Sequence, residues 1–268
     1  MSIGTPSRLG RGALGAACAA LLAVHTADAS SILFYNFCTY TEINCGYEND
    51  HYDDDLAVIL AAAGHSLDIR SRDGTYLTPK LLAPYDQLWI VTAGGINLNE
   101  DPVQPDEVAA VLAFHSLGRG IAIFGEHDYF YGAANAFALP LGARFTTSGV
   151  SRVGTNLVSA FVPSPLWENA TSLGGALSEG VVVSLSPDVE IVANVLGGMI
   201  AVRETPSRVV FDGSFVRLFD AAYEPDFFTS ATNQDNEFYL QNLANWLTLT
   251  MPVSVSGASW GRVKSAYR

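Results

Sequence analysis

The stretch that decides the fold is GRGIAIFGEHDYFYGAANAFALPLG, Gly118 to Gly142. An apolar run, Gly120 to Phe124, stops on Gly125 and is followed by Glu126, His127 and Asp128 and then by a helix-like segment. A strand without polar alternation is covered on both faces, as parallel strands of an α/β sheet are. Open sheets of this kind bind ligands in the crevice beyond the carboxyl ends of their strands. Glu126, His127 and Asp128 therefore fall where such a sheet places a site.

Working outward, Ser31 to Phe37 (SILFYNF) reads as a buried first strand. Leu56, Ile59, Leu60 and Ala63 then recur at helical spacing, with Gly64 as the stop and Asp53, Asp54 and Asp55 complementing the dipole of the first turn. Ser66 to Arg70 is a second strand, and Gln87 to Thr92 a third that runs into Ala93-Gly94-Gly95. A helix opened by Asp106 and Glu107 follows, with Val108, Val111, Leu112 and His115 as its apolar stripe and Gly118 as its end. This alternation predicts an α/β fold: an open, mainly parallel, flavodoxin-like sheet with helices on both faces and right-handed crossovers. In the second half, short β-like runs at Gly180 to Leu185, Glu190 to Val195, Met199 to Val202 and Val209 to Phe211 are either further strands of that sheet or an antiparallel edge. A last helix is expected over Asn236 to Leu247, with Tyr239, Leu243, Trp246 and Leu247 on one face.

Residues 1–29 carry Arg8 and Arg11, an apolar run from Ala13 to Val24, and the small-x-small sequence Ala27-Asp28-Ala29. That is the pattern of a cleaved secretory signal, and the apolar run is too short for a membrane span. The remainder divides into one domain over 30–251 and an aperiodic tail over 252–268. A formal charge of −13 argues against nucleic acid and anionic membrane as partners. It fits a secreted or periplasmic protein with no membrane insertion after cleavage. In an oxidising compartment Cys38 and Cys45 are expected to form a local disulfide, a reactive thiol or metal pair being the alternative.

Four passages, in order, carry a family likeness: VTAGG (Val91 to Gly95), FGEHDYFYGAANAFALPLGARF (Phe124 to Phe145), RVVFDGSF (Arg208 to Phe215) and DNEFYLQNLANWL (Asp235 to Leu247). Together they resemble the class I (type-1) glutamine amidotransferase-like superfamily. The likeness is greater to its non-amidotransferase branches, the trehalose-utilisation-type proteins and the extracytoplasmic domains associated with gliding-motility transporters. In the catalytic members of the superfamily a cysteine occupies the turn after the strand equivalent to Gly120–Phe124, and glycines after the preceding strand help to form an oxyanion hole. Gly94 and Gly95 match the second feature, but the turn Gly125-Glu126-His127 has neither Cys nor Ser, and Cys38 and Cys45 follow the first strand instead. Without a nucleophile, acyl-enzyme chemistry on glutamine is not expected.

The topology brings Asn36, Gly94, Gly95, Asp212 and Ser214 to the same edge as Glu126, His127 and Asp128. A carboxylate beside an imidazole can exchange protons, or mixed N and O ligands can hold a divalent metal; helix capping is the structural use of the same residues. No organic cofactor is expected, and a divalent metal is the one candidate. Two functions follow. The first is an exported, non-catalytic binding or scaffold domain that recognises a small polar ligand, carbohydrate included, or a protein partner. The alternative is a hydrolase or isomerase, with or without metal, using Glu126 and His127 with Asp212 as a further catalytic candidate. An enzyme needs these groups to converge on an open pocket, whereas a scaffold lets internal hydrogen bonds consume them.

The remaining polar features have local readings. Asp50, His51 and the acidic run after them lack the glycine and terminal glutamate of an EF-hand and read as a solvated helix start. His115 reads as a core histidine and Asp212 to Phe215 as a turn made by Gly213. Asn169-Ala170-Thr171 fits the N-glycosylation pattern. Tyr129, Phe130 and Tyr131 can stack on a sugar ring or close the core.

Overall fold

A computed structural model describes residues 29–38, 54–72, 75–94, 102–125, 131–147, 161–174, 180–194, 198–219, 231 and 235–248. Its strands are β1 (Ser31–Cys38), β2 (Ser66–Ser71), β3 (Gln87–Gly94), β4 (Gly120–Phe124), β5 (Ala143–Thr147), β6 (Gly180–Ser184), β7 (Val189–Asn194), β8 (Gly198–Arg203) and β9 (Val209–Asp212). The helices are α1 (Asp54–Ala62), the single turn α2 (Pro79–Leu82), α3 (Pro105–Ser116), α4 (Tyr131–Ala138) and α5 (Asn236–Thr248). The seven-stranded sheet runs β2-β1-β3-β4-β9-β8-β7. Its first five strands are parallel, and β8 and β7 extend it antiparallel.

Both sequence readings of the second half are thus partly realised. β9 joins the parallel set beside β4, and β8 and β7 form an antiparallel margin. Gly180–Ser184 does neither: it pairs antiparallel with β5 in a separate two-stranded sheet.

Alternation along each central strand supplies two cores at once, because successive side chains point to opposite faces. Ile32, Phe34, Trp89, Val91, Ala122 and Phe124 face α1 and α5. Leu33, Tyr35, Leu88, Ile90, Ile121 and Ile123 face α3 and α4. All twelve are fully buried, and each of the larger ones contributes about 1.5–3 kcal/mol on leaving water.

The last helix buries Tyr239, Leu243, Trp246 and Leu247, the face that the spacing selects. On α3 the buried set is Glu107, Ala110, Val111, Phe114 and His115, so the stripe is turned from the expected one and Val108 and Leu112 are only half-buried. Glu107 lies on this buried face paired with Arg72 at 2.7 Å, beside the apolar Ala110 and Phe114. Gly64 and Gly118 end their helices at φ +89° and +84°, the left-handed conformation that glycine adopts without penalty. Among the described residues no helix is long and apolar enough to cross a membrane.

The end of α5 lies on the start of β4. A Cβ added to Gly120 would sit 2.6 Å from the Leu247 carbonyl oxygen and 2.7 Å from Leu247 Cβ. Gly120→Ala is therefore expected to lower stability by about 1–3 kcal/mol through overpacking. Urea unfolding reads this as a lower midpoint at constant slope, and an unchanged midpoint would refute the contact.

Among the described residues His65 and His115 are both buried. His115 Nε2 lies 3.3 Å from the Ser207 carbonyl, and Ser207 Oγ donates to the His115 carbonyl at 2.8 Å. Burial, with Arg203 nearby, holds the His115 imidazole below 6.5, opposed by the bond to Ser207. Burial likewise lowers His65, opposed by its bond to Asn245. With both folded values depressed, the unfolded chain takes up protons first as pH falls. Stability should be level above the ordinary histidine value of 6.5 and decline below it. The His65→Gln, His115→Gln double variant should lose that decline in melts between pH 5 and 8 (about the histidine range).

Candidate functional site

The candidate site is the carboxyl edge of β1, β3, β4 and β9. β1 carries Asn36, fully buried, whose carbonyl accepts from Arg72 N at 3.0 Å. β3 ends on Gly94, in register with Cys38. Thr92 Oγ1 donates to the Phe124 carbonyl at 3.3 Å. Gly125, just past β4, donates its N–H to the Asp212 carbonyl at 2.8 Å, which fixes the turn against β9. Glu126, His127, Asp128, Gly95, Cys45, the leader up to Asp28, the Asp50–His51 region, Tyr129, Phe130 and the tail from 252 lie outside the described residues.

Gly125 has a specific reason to be glycine. A Cβ there would lie 2.8 Å from Cδ1 and 2.9 Å from Cγ of Phe145. Phe145 is buried on β5, with Phe211 of β9 edge-on at 6.5 Å. Position 125 therefore has no room for a nucleophilic side chain unless Phe145 moves.

Asp212 ends β9 with no exposed surface, and both of its carboxylate oxygens are engaged. Oδ1 accepts from Ser214 N at 3.0 Å and from Arg217 Nε and Nη2 at 3.2 and 3.1 Å, while Oδ2 accepts from the Tyr239 hydroxyl at 2.9 Å. Arg217 is equally buried and uses Nη1 to hold the Gly174 carbonyl. Burial pushes the Asp212 carboxyl upward, opposed by the Arg217 charge and by the bonds from Tyr239, Ser214 and Arg217. Burial, reinforced by the Asp212 charge, raises the Tyr239 hydroxyl well above its ordinary value. Asp212 thus faces inward as an anchor for the turn. Ser214 is held by that anchor through its N–H, and its own hydroxyl, fully buried, finds no hydrogen-bond partner among the described residues.

A second sealed ion pair lies under the other face of the same edge. Arg72, the first residue after β2, places Nη2 2.7 Å from Glu107 Oε2 and Nε 3.3 Å from Oε1. Its guanidinium is 4.3 Å from the Phe37 ring centroid and 4.9 Å from that of Tyr76, a cation held against two aromatic rings. Glu107 also accepts from Gln104 N and Leu77 N, so one carboxylate caps α3 and fixes the chain before α2.

Sequence reasoning placed Asn36, Gly94, Asp212 and Ser214 at one edge, and the strand ends do converge there. It did not find Arg217, the Tyr239 hydroxyl, or the Arg72–Glu107 pair. No local signal singles out these pairs: Asp73 stands beside Arg72 in the sequence while Glu107 is thirty-five positions on, and Asp220 is nearer to Arg217 than Asp212 is. Among the described residues no group of three or more His, Cys, Asp or Glu is arranged to hold a metal ion.

The strand order is that of an α/β fold shared with glutamine amidotransferase-like and ThuA-like proteins of known structure. The chain is similar to a glutamine amido transferase from Methylobacillus flagellatus, with 13% identity, a TM-score of 0.55, and 82% of this chain and 95% of that chain covered. It is similar also to a cytoplasmic protein from Salmonella typhimurium, with 13% identity, a TM-score of 0.53, and 82% and 98% covered. A ThuA-like protein from Bacteroides uniformis is 14% identical, with a TM-score of 0.51 and 81% and 90% covered. These likenesses are of fold. No family model matches the chain, and no curated protein matches its sequence.

Removing Arg217 leaves Asp212 buried without its counter-charge. Arg217→Met should cost about 3–5 kcal/mol in urea unfolding, and adding Asp212→Asn should recover part of it. A single substitution within about 0.5 kcal/mol of the parent would contradict the pairing.

Proposed function

We propose that the chain is an exported, non-catalytic binding or scaffold domain that recognises a small polar ligand, such as a carbohydrate, at the carboxyl edge of its sheet. The ligand groups assigned to it are Asn36, Gly94, Gly95, Glu126, His127, Asp128 and Ser214, with Cys38 and Cys45 joined as a disulfide near the first strand. The observation that carries the reading is the Ser214 hydroxyl, two residues past the end of β9, buried and without a hydrogen-bond partner among the described residues. A buried hydroxyl left unbonded costs about 1–3 kcal/mol, so a polar ligand that completes it gains what the free protein lacks. Ser214 has no exposed surface, so a ligand reaching its hydroxyl displaces what covers that oxygen while the Ser214 N–H stays bonded to Asp212.

Two further observations favour binding over chemistry. Position 125 is closed to a nucleophile by Phe145, and Asp212, the acid that a hydrolase or isomerase would recruit, has both oxygens committed inside the protein. A metal-assisted reaction at Glu126 and His127 is the competing reading, and elemental analysis of exported protein distinguishes it: stoichiometric metal supports that reading.

Ser214→Ala removes the unbonded hydroxyl. It should leave the free protein as stable as the parent or about 1 kcal/mol more so. It should also abolish the melting shift produced by whichever sugar or amino acid stabilises the parent in a thermal-shift panel. An equal shift in parent and variant would remove Ser214 from the site.

A further inference from the structure

At the opposite edge of the sheet, Ser30 is buried while Ala29, immediately before it, is exposed. The Ser30 N–H donates to His65 Nδ1 at 3.3 Å, and the Ser30 hydroxyl lies 2.7 Å from the same nitrogen. Nε2 of that ring is 3.1 Å from Asn245 Oδ1, an acceptor. Nε2 therefore carries the ring proton and Nδ1 presents its lone pair. Gln87 Nε2 donates to Ser30 Oγ at 2.8 Å, which leaves the hydroxyl proton for Nδ1. One residue on, Asp86 Oδ2 accepts both Ser31 N at 2.9 Å and Ser31 Oγ at 2.8 Å. The polar groups around Ser30 and His65 are thus Gln87 and Asp86 at the start of β3, and Asn245 and Thr248 from α5. Asp86 is the charged member, and it is an acid.

We propose that this pocket is the seat of a free amino terminus: the Ala29–Ser30 bond is the processing site, and the α-ammonium of Ser30 docks on His65. The inference rests on the reading that the chain is exported and its leader removed. A leader peptidase and one water would hydrolyse the Ala29–Ser30 amide, leaving a carboxylate on Ala29 and an ammonium on Ser30. That ammonium keeps the donation to Nδ1 and gains two further N–H donors, with the Asp86 carboxylate one residue away to balance its charge. A lone pair on the neutral imidazole suits a cation, whereas a protonated ring would set N–H against N–H. The small-x-small sequence Ala27-Asp28-Ala29 ends at the residue where exposure gives way to burial.

Periodate tests the seat, because it cleaves a 1,2-amino alcohol and so oxidises serine only when serine is first in the chain. The Cα–Cβ bond breaks, formaldehyde and ammonia leave, the terminus becomes a glyoxylyl group, and periodate is reduced to iodate. The full chain with its own leader is expressed in a secreting host, and the intact mass of the exported protein reads its first residue. The expected mass begins at Ser30, and native protein should be oxidised about tenfold or more slowly than protein in urea, since the amine reacts only when the terminus opens. His65→Ala should bring the native rate toward the unfolded one, with His65→Gln used if the alanine variant does not unfold cooperatively. A mass that begins elsewhere, the uncleaved chain included, overturns the processing site and the export reading together. A chain that begins at Ser30 but is oxidised equally fast in both states overturns the seat alone, as does full protection retained in a folded His65 variant.

Discussion

The carboxylate of Asp212 is the constraint on which the carboxyl edge depends. A charge without solvent is tolerated only when it is paired and its remaining lone pairs are bonded. Asp212 meets that demand by drawing four donors from three places in the chain: Arg217 (twice), Tyr239 of α5, and the amide of Ser214. It pairs in register with Phe124 on the parallel side and with Ile200 on the antiparallel side, so the charge sits where the two halves of the sheet join. Arg217 carries the network on to Gly174, whose N–H is held by Asn236, and Asp235 holds Thr171 and Ser172 beside it. The start of α5, the end of β9 and the 171–174 segment are thereby fixed with respect to one another.

The Arg72–Glu107 pair does the equivalent work for β2 and α3 on the other face. Between these two anchors lie the ends of the central strands, with Asn36, Gly94, Gly125 and Ser214. The anchors consume charge inside the protein, and among the described residues what they leave at the strand ends is amide, hydroxyl and glycine backbone. Chemistry of that kind recognises polar groups by hydrogen bonding, which is why the proposed function is binding, with the acids and imidazole at 126–128 as its charged members.

Much of the fold is legible in the sequence because it rests on local pattern. Gly120–Phe124 is an unbroken apolar run, Gly64 and Gly118 mark helix ends, and the Tyr239–Leu243–Trp246–Leu247 spacing gives the buried face of α5. What escaped was non-local. Nothing near Gly180–Ser184 says that it leaves the main sheet to pair with Ala143–Thr147. Glu107 looks like an ordinary acidic residue in a helix's first turn until Arg72, thirty-five positions earlier, is placed against it. The convergence of Asn36, Gly94, Asp212 and Ser214 was legible from strand ends alone, but the inward commitment of Asp212 needed Arg217 and Tyr239 in three dimensions.

The central claim is that Asp212 is a sealed structural anchor. Native-state hydrogen exchange of the Ser214 amide, the backbone donor to Asp212, tests it most directly. If the anchor is sealed, that amide exchanges only through global unfolding, and its exchange free energy matches the unfolding free energy from urea and falls with the same denaturant slope. Exchange through a local opening, several kcal/mol below the global value and insensitive to urea, would show that the carboxylate is accessible and contradict the account.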